Sequence, residues 1–447
     1  MASPKTAGKT KQKKRSFHQE LVLNRWVMRF FKGNELAALK LRLGDDQHEG
    51  IDEDGQTLFF HELTRNLFEV DWISEADLRR YDLHIVEHWQ AITKHRNQLE
   101  GHVLNMKYFQ YLSLLFTEIY LDWYFTKPQA LLDGLNEELA TYSKEQGAEI
   151  FQPYIASDLN KIAFWNATGS GKTLLLHVNI KQYLHYFQAG NSNLYPDKII
   201  LLTPNEGLSK QHLEELELSG FSFSRFFDKN RTNTFKGTIE IIDINKLGDS
   251  MGDKTVAVEA FEGNNLVLVD EGHRGTGTAA GAWMQRRDAL VRGGFAFEYS
   301  ATFGQAVAKG NTVAKAEEEL LKKKAKTLFE TTALKKLDDA QLAQLVLTQV
   351  EQRQARVTAT RETYAKCILF DYSYKYFYDD GYGKESLILN MNGEAYEQAD
   401  NAQKYFTACL LSFYQQTWLW QNHHGKLNDF NIEKPLWVFV GNTVSGE

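Results

Sequence analysis

At 447 residues, with 43% hydrophobic, 24% charged and 13% aromatic side chains, the chain can build a sizeable core over two or more domains, which excludes disorder and collagen-like repeats. Two cysteines, Cys367 and Cys409, are too few for a disulfide scaffold, no secretory h-region opens the chain and no apolar run could span a bilayer, so a cytoplasmic protein with no membrane partner is expected. The net charge of −7 hides an asymmetry: Lys5, Lys9, Lys11, Lys13, Lys14 and Arg15 are six of the 51 basic residues, and without them 45 basic face 58 acidic residues, a balance of −13. So acidic a body is no general polyanion binder, and any nucleic-acid contact must come from a local groove.

Residues 1–15 read as a basic, solvated, disordered arm, with phosphate or partner contact and a targeting signal as alternatives. Ser16 with Gln19 has the form of a capping box, and Val22, Trp26 and Phe30 recur at helical spacing. A helix is predicted there. Residues 48–56 are acidic and polar and read as a loop, while 106–125 read as an aromatic-rich amphipathic helix broken near Pro128. Residues 16–145 are thus expected to form a mainly helical N-terminal domain whose aromatic stripe is core.

From residue 146 short aliphatic runs at 161–166, 198–203, 238–244, 265–270 and 295–300 alternate with helical patterns, which predicts an α/β domain over 146–305 with a parallel sheet and helices on both faces. The first run leads into Ala167-Thr168-Gly169-Ser170-Gly171-Lys172-Thr173 and then an apolar helix. Strand, glycine bend and helix N-terminus are the context of a phosphate cradle, in which backbone N–H groups surround phosphate, Lys172 neutralises its oxygens and the Thr173 hydroxyl can ligate Mg²⁺. Asn166 replaces the usual first glycine, and asparagine tolerates left-handed backbone angles. The run 265–270 ends in Asp270-Glu271-Gly272-His273, placing two carboxylates at the C-terminal edge of a buried strand, one able to hold Mg²⁺ and the next to activate water. Taken alone, the pair also reads as a helix cap with an acidic neighbour.

Residues 306–365 carry charged helical patterns and read as a helical insertion or bridge with a solvated face. Tyr372, Tyr374, Tyr376 and Tyr378 would share one face of a strand, and Asp380-Gly381 supplies a turn before Leu387, so a hairpin and linker are expected over 366–432. That tyrosine face could stack bases or pack across strands. A last strand pattern, 436–440, is followed by Gly441-Asn442-Thr443. No paired Cys/His spacing suggests zinc, and no nuclease constellation is evident.

These motifs resemble those of superfamily 2 helicases and translocases of the DExH kind. Ala167 to Thr173 is similar to motif I, Asp270 to His273 to motif II, Thr203-Pro204-Asn205 with Leu208-Ser209-Lys210-Gln211-His212 to motif Ia, and Ser300-Ala301-Thr302 to motif III. Gln152 lies where that family's adenine-reading glutamine would be. Within the superfamily the layout is most similar to type III or type I restriction enzyme R or Res subunits and related phage-defence helicases. The resemblance implies a RecA-like P-loop NTPase domain, an ATP site of Gln152, Thr168, Gly169, Ser170, Gly171, Lys172 and Thr173, and catalysis by Lys172, Asp270 and Glu271, with Mg²⁺ on Thr173 and Asp270. It further implies coupling by His273, Ser300 and Thr302, and backbone contacts to double-stranded DNA by Thr203 and Pro204. It points to a methyltransferase, specificity or other defence-system subunit as partner. The residue patterns leave plainer readings open: a loop histidine for His273, a helix cap for Ser300-Ala301-Thr302 and a strand-to-helix turn for Thr203-Pro204.

The expected function is an ATP-dependent DNA helicase or translocase motor. Residues 433–447 resemble the start of a second RecA-like domain whose arginine finger would lie further on, so the chain is expected to be an incomplete motor that hydrolyses ATP weakly by itself. The alternatives are a nucleotide-gated binding or regulatory module and an unrelated P-loop enzyme such as a kinase, the latter disfavoured by Ser300-Ala301-Thr302.

Overall fold

The computed structural model describes residues 16–67, 72–147, 149–189, 191–228, 235–248, 256–257, 261, 263–271, 287–309, 314–383, 399–427 and 434–438. They fall into two units, Met1–Gly383 and Lys384–Glu447. No helix of the described residues is long and apolar enough to cross a membrane.

The first unit opens with helices α1 (Val22–Met28), α2 (Leu36–Leu43), α3 (Leu58–Glu62), α4 (Glu75–Glu100), α5 (Tyr108–Thr126) and α6 (Pro128–Gln146). Their ends follow local chemistry. The Ser74 hydroxyl accepts from the Asp77 N–H at the start of α4, Pro128 occupies the first turn of α6, and left-handed Gly101 and Gly147 close the two helices. The capping box expected at Ser16 is not formed. The Gln19 N–H donates to the Ser16 carbonyl instead, residues Phe17–Glu20 make a 3₁₀ turn, and Phe30 lies beyond the end of α1, though buried like Val22 and Trp26. In α5, 15 of 19 residues are buried, which makes it the inner helix of its layer and not the amphipathic one expected. Its buried Glu118 accepts hydrogen bonds from Gln182 (2.7 Å) and Tyr186 (2.6 Å), so the charge is not left without partners.

Strands β1 (Lys161–Asn166), β2 (Ile199–Thr203), β3 (Ser224–Phe226), β4 (Ile239–Asp243), β5 (Leu266–Asp270), β6 (Phe295–Ser300) and β7 (Ile368–Tyr372) form one sheet in the order β3-β4-β2-β5-β6-β1-β7. Every neighbouring pair is parallel, so all seven C-terminal ends share one edge. This is the expected RecA-like α/β class behind a helical N-terminal region. The apolar runs of β2 and β5 are buried on both faces, as a covered parallel sheet requires. Alternate residues serve different layers: Phe164, Leu268 and Phe297 join the core beneath α4, α5 and helix α7 (Lys172–Phe187), and Ala163, Val267 and Ala296 join the other. Helix α8 (Glu206–Leu218) follows β2.

Residues 16–145 do not close on a core of their own. Phe109 stacks on Tyr372 with centroids 3.9 Å apart, Phe116 meets Phe370, and the Asn24 amide donates to the Leu369 carbonyl, so helices and sheet share one core. The segment 306–365 likewise belongs to this unit. It contributes α9 (Phe303–Lys309), α10 (Ala314–Phe329), α11 (Asp339–Gln344) and α12 (Gln349–Cys367), and forms the crossover from β6 to β7. Exposed or half-exposed ion pairs, Arg356–Glu317 and Lys324–Glu351, join α10 to α12.

The tyrosine hairpin is not formed. Only Tyr372 of the four lies in a strand, and that strand pairs with β1; the Ser373 N–H then donates to the Asp371 carboxylate, and Tyr374–Asp379 make helix α13. Tyr374 and Tyr378 come together at helical i, i+4 spacing, 6.0 Å between centroids, on an exposed face, while Tyr376 and Phe377 pack against the core. Leu387 and its neighbours lie outside the described residues. In the second unit α14 (Ala399–Leu427) is followed by residues 434–438, where Trp437 packs on Phe413. The strand expected over 436–440 is not formed across 436–438, which have no ladder partner among the described residues, and 439–440 lie outside them.

Candidate functional site

The bend between β1 and α7 carries two glycines with left-handed backbones, Gly169 (φ 90°) and Gly171 (φ 86°), angles that side-chain-bearing residues adopt only at a cost. Ser170 fastens the bend from inside, its hydroxyl donating to the Ala167 carbonyl at 2.8 Å. Two distant segments hold it from outside. The Ala167 N–H donates to the Tyr372 carbonyl (2.9 Å), and the Gln110 amide donates to the Ser170 carbonyl (3.1 Å). A Cβ on Gly171 would collide with Gln110 Nε2, and one on Gly169 would touch Phe377 of α13 at 3.4 Å. Thr168 and Gly169 are exposed at the crest, and Lys172 and Thr173 are half-buried in the first turn of α7. Gln110 is a participant with no local signal in the sequence, because its position is set by how α5 packs on α7.

Asn166 does not serve by a left-handed backbone. It is the last residue of β1, is fully buried, and neither atom of its amide has a hydrogen-bond partner among the described residues. A wholly buried, unpaired amide normally costs about 1–3 kcal/mol.

Asp270 closes β5, two strands from β1 across β6. Glu271 follows with φ 55°, a left-handed conformation rare outside glycine and asparagine, and its N–H donates to the Tyr299 carbonyl at 2.9 Å. That turn brings its carboxylate 2.6 Å from Lys172 Nζ, with both side chains 14% exposed. Asp270 accepts from His212 Nε2 of α8 at 2.9 Å, and His212 is buried. At this edge the Thr173 hydroxyl and the Asp270 carboxylate are hard oxygens of the kind Mg²⁺ prefers, beside Lys172.

Other candidate residues lie elsewhere or are engaged. Gln152 does not reach the bend: its N–H donates to Glu362 of α12 at 2.8 Å, and Glu362 lines a cavity of about 570 Å³ with Lys161, Cys367 and Arg292 at the opposite, N-terminal edge of the sheet. The glutamine is thus separated from the loop by the length of β1. Thr203 is buried, its hydroxyl 2.6 Å from that of Ser209, and the Pro204 carbonyl accepts from Asn245. The buried Ser300 hydroxyl accepts from the Thr302 N–H, and the Thr302 carbonyl accepts from the N–H groups of Gln305 and Ala306 at the start of α9, a capping turn. Trp165 of β1 donates to the Ala301 carbonyl and ties this turn to the strand that feeds the loop. His273 lies outside the described residues.

Residues 137–305 match the family model of the type III restriction enzyme, res subunit. The match takes in the glycine bend, Thr203, Asp270, Glu271 and Ser300-Ala301-Thr302. No curated protein matches the chain.

Proposed function

We propose that this chain is the ATP-hydrolysing part of a DNA helicase or translocase of the DExH superfamily 2 kind, serving a restriction or phage-defence system. The observation that supports it most is the Lys172–Glu271 ion pair, which puts the loop's cation and the acid after β5 at one point on the sheet edge. Without phosphate, Lys172 is held by Glu271. An incoming triphosphate offers more negative charge, so Lys172 transfers to the phosphate oxygens and the Glu271 carboxylate becomes available to accept a proton from water aligned with the γ-phosphate. The N–H groups around Gly169 and Gly171 and the start of α7 receive the remaining oxygens. Thr173 and Asp270 would hold Mg²⁺, which would offset the charge that develops on the phosphate oxygens.

The test is equilibrium nucleotide binding together with phosphate release, with and without duplex DNA. Lys172→Ala is expected to weaken nucleotide binding by about tenfold or more, the loss of a charge-assisted contact. Glu271→Gln is expected to keep binding while turnover falls by about 10²–10⁴. Nucleotide binding with no response of turnover to DNA in the parent would remove the motor reading and leave a nucleotide-gated binding module.

A further inference from the structure

We infer that His212 is a positioning residue for Asp270, fixing the carboxylate that is proposed above to meet the nucleotide's divalent cation; the inference rests on that reading of the site. Asp270 lies on the same sheet face as Leu266 and Leu268, the face that α7 and α8 cover. From α8 the His212 ring, 3% exposed, reaches Asp270 Oδ2 at 2.9 Å. An ionised carboxylate only accepts, so Nε2 carries the hydrogen in this contact. Nδ1 is buried with no hydrogen-bond partner among the described residues. Packing alone would be better served there by an apolar side chain, which leaves no polar atom unmet.

The same face of α8 makes a second polar contact with a strand end. Ser209, one turn before His212, shares a hydrogen bond with Thr203 at the end of β2, and Asn205 caps the helix by accepting from the Leu208 N–H. Helix α8 is therefore fixed relative to both strand ends, and His212 holds one oxygen of Asp270 in a set orientation. A carboxylate so held meets a cation without first losing rotational freedom, the usual benefit of an outer hydrogen bond to a ligand.

The experiment uses the full chain with Mn²⁺ as a spin probe. Mn²⁺ affinity is measured in the presence of ADP, and ADP affinity is measured separately in a chelator. His212→Ala is expected to weaken Mn²⁺ binding by about tenfold while metal-free ADP affinity stays within about twofold, and His212→Gln, whose amide N–H can reach the same oxygen, to recover most of the loss. Parental Mn²⁺ affinity in His212→Ala, with loss in Asp270→Asn, overturns the role of His212 and leaves the site standing. Parental Mn²⁺ affinity in Asp270→Asn overturns the reading of the site itself. Equal loss of metal-free ADP affinity in His212→Ala and His212→Gln also overturns the inference, because it marks a purely structural role.

Discussion

Glu271 combines a backbone angle that favours glycine with a side chain that the site uses. A left-handed conformation costs a side-chain-bearing residue about 1–2 kcal/mol, so Glu271→Gly should be more stable than Glu271→Ala by about that amount, although both lose turnover. Urea unfolding of the two variants checks it, and equal midpoints would argue that the turn relaxes. Asn166 carries a different cost, a buried amide with no partner among the described residues. Asn166→Ala removes two unmet polar atoms and should melt no lower than the parent, since the relief of about 1–3 kcal/mol offsets the small cavity left behind. A clear drop in its melting temperature would mean that the amide has a partner. The glycine bend and the paired acids were legible because each is a short run with its own chemistry. The contacts of Lys172 with Glu271 and of His212 with Asp270 were not, since both are produced by strand order and helix packing between residues 99 and 58 positions apart.

Helices α4 and α7 meet through imidazoles. The His84 and His185 rings are 4.0 Å apart, with His88 6.0 Å from His185, near Glu118, Glu87, Lys181 and Arg80. Burial holds His88 down to about 4 and lowers His185 as well. Unfolded histidine titrates near 6.5, so below that pH the unfolded chain binds protons that the folded one refuses. The stability contributed by His88 is complete above about pH 7 and is lost as pH falls from about 6.5 towards 4, by up to about 1.4 kcal/mol per unit. His88→Gln should shrink the fall in urea midpoint between about pH 7.5 and about pH 5, and an unchanged fall would exclude His88 as its source. The five aliphatic runs from 161 to 300 became strands within a residue of their expected ends because apolar runs bounded by turns have few other uses. The tyrosine segment misled for a definite reason: residues two apart share a strand face, yet the same stretch places Tyr374 and Tyr378 four apart on a helix, and nothing local decides between them.

The single core shared by the N-terminal helices and the sheet implies that residues 16–383 unfold together. A chain beginning at residue 146 should lack the cover for Phe297, Phe370 and Tyr372 and fail to give a cooperative thermal transition by circular dichroism. A sharp transition from that shortened chain would restore an independent helical domain. Apolar periodicity told that the helices have a covered side, but not what covers it, so the boundary near 145 was misread while the α/β class was not. The phosphate bend is the place where this unity has most effect. It is clamped by Gln110, sixty positions upstream, and by the Tyr372 carbonyl, some two hundred downstream. Filling or emptying it must therefore tug on both remote stretches at once, so a dye attached near Tyr378 should change its emission when nucleotide arrives, although that tyrosine belongs to neither motif.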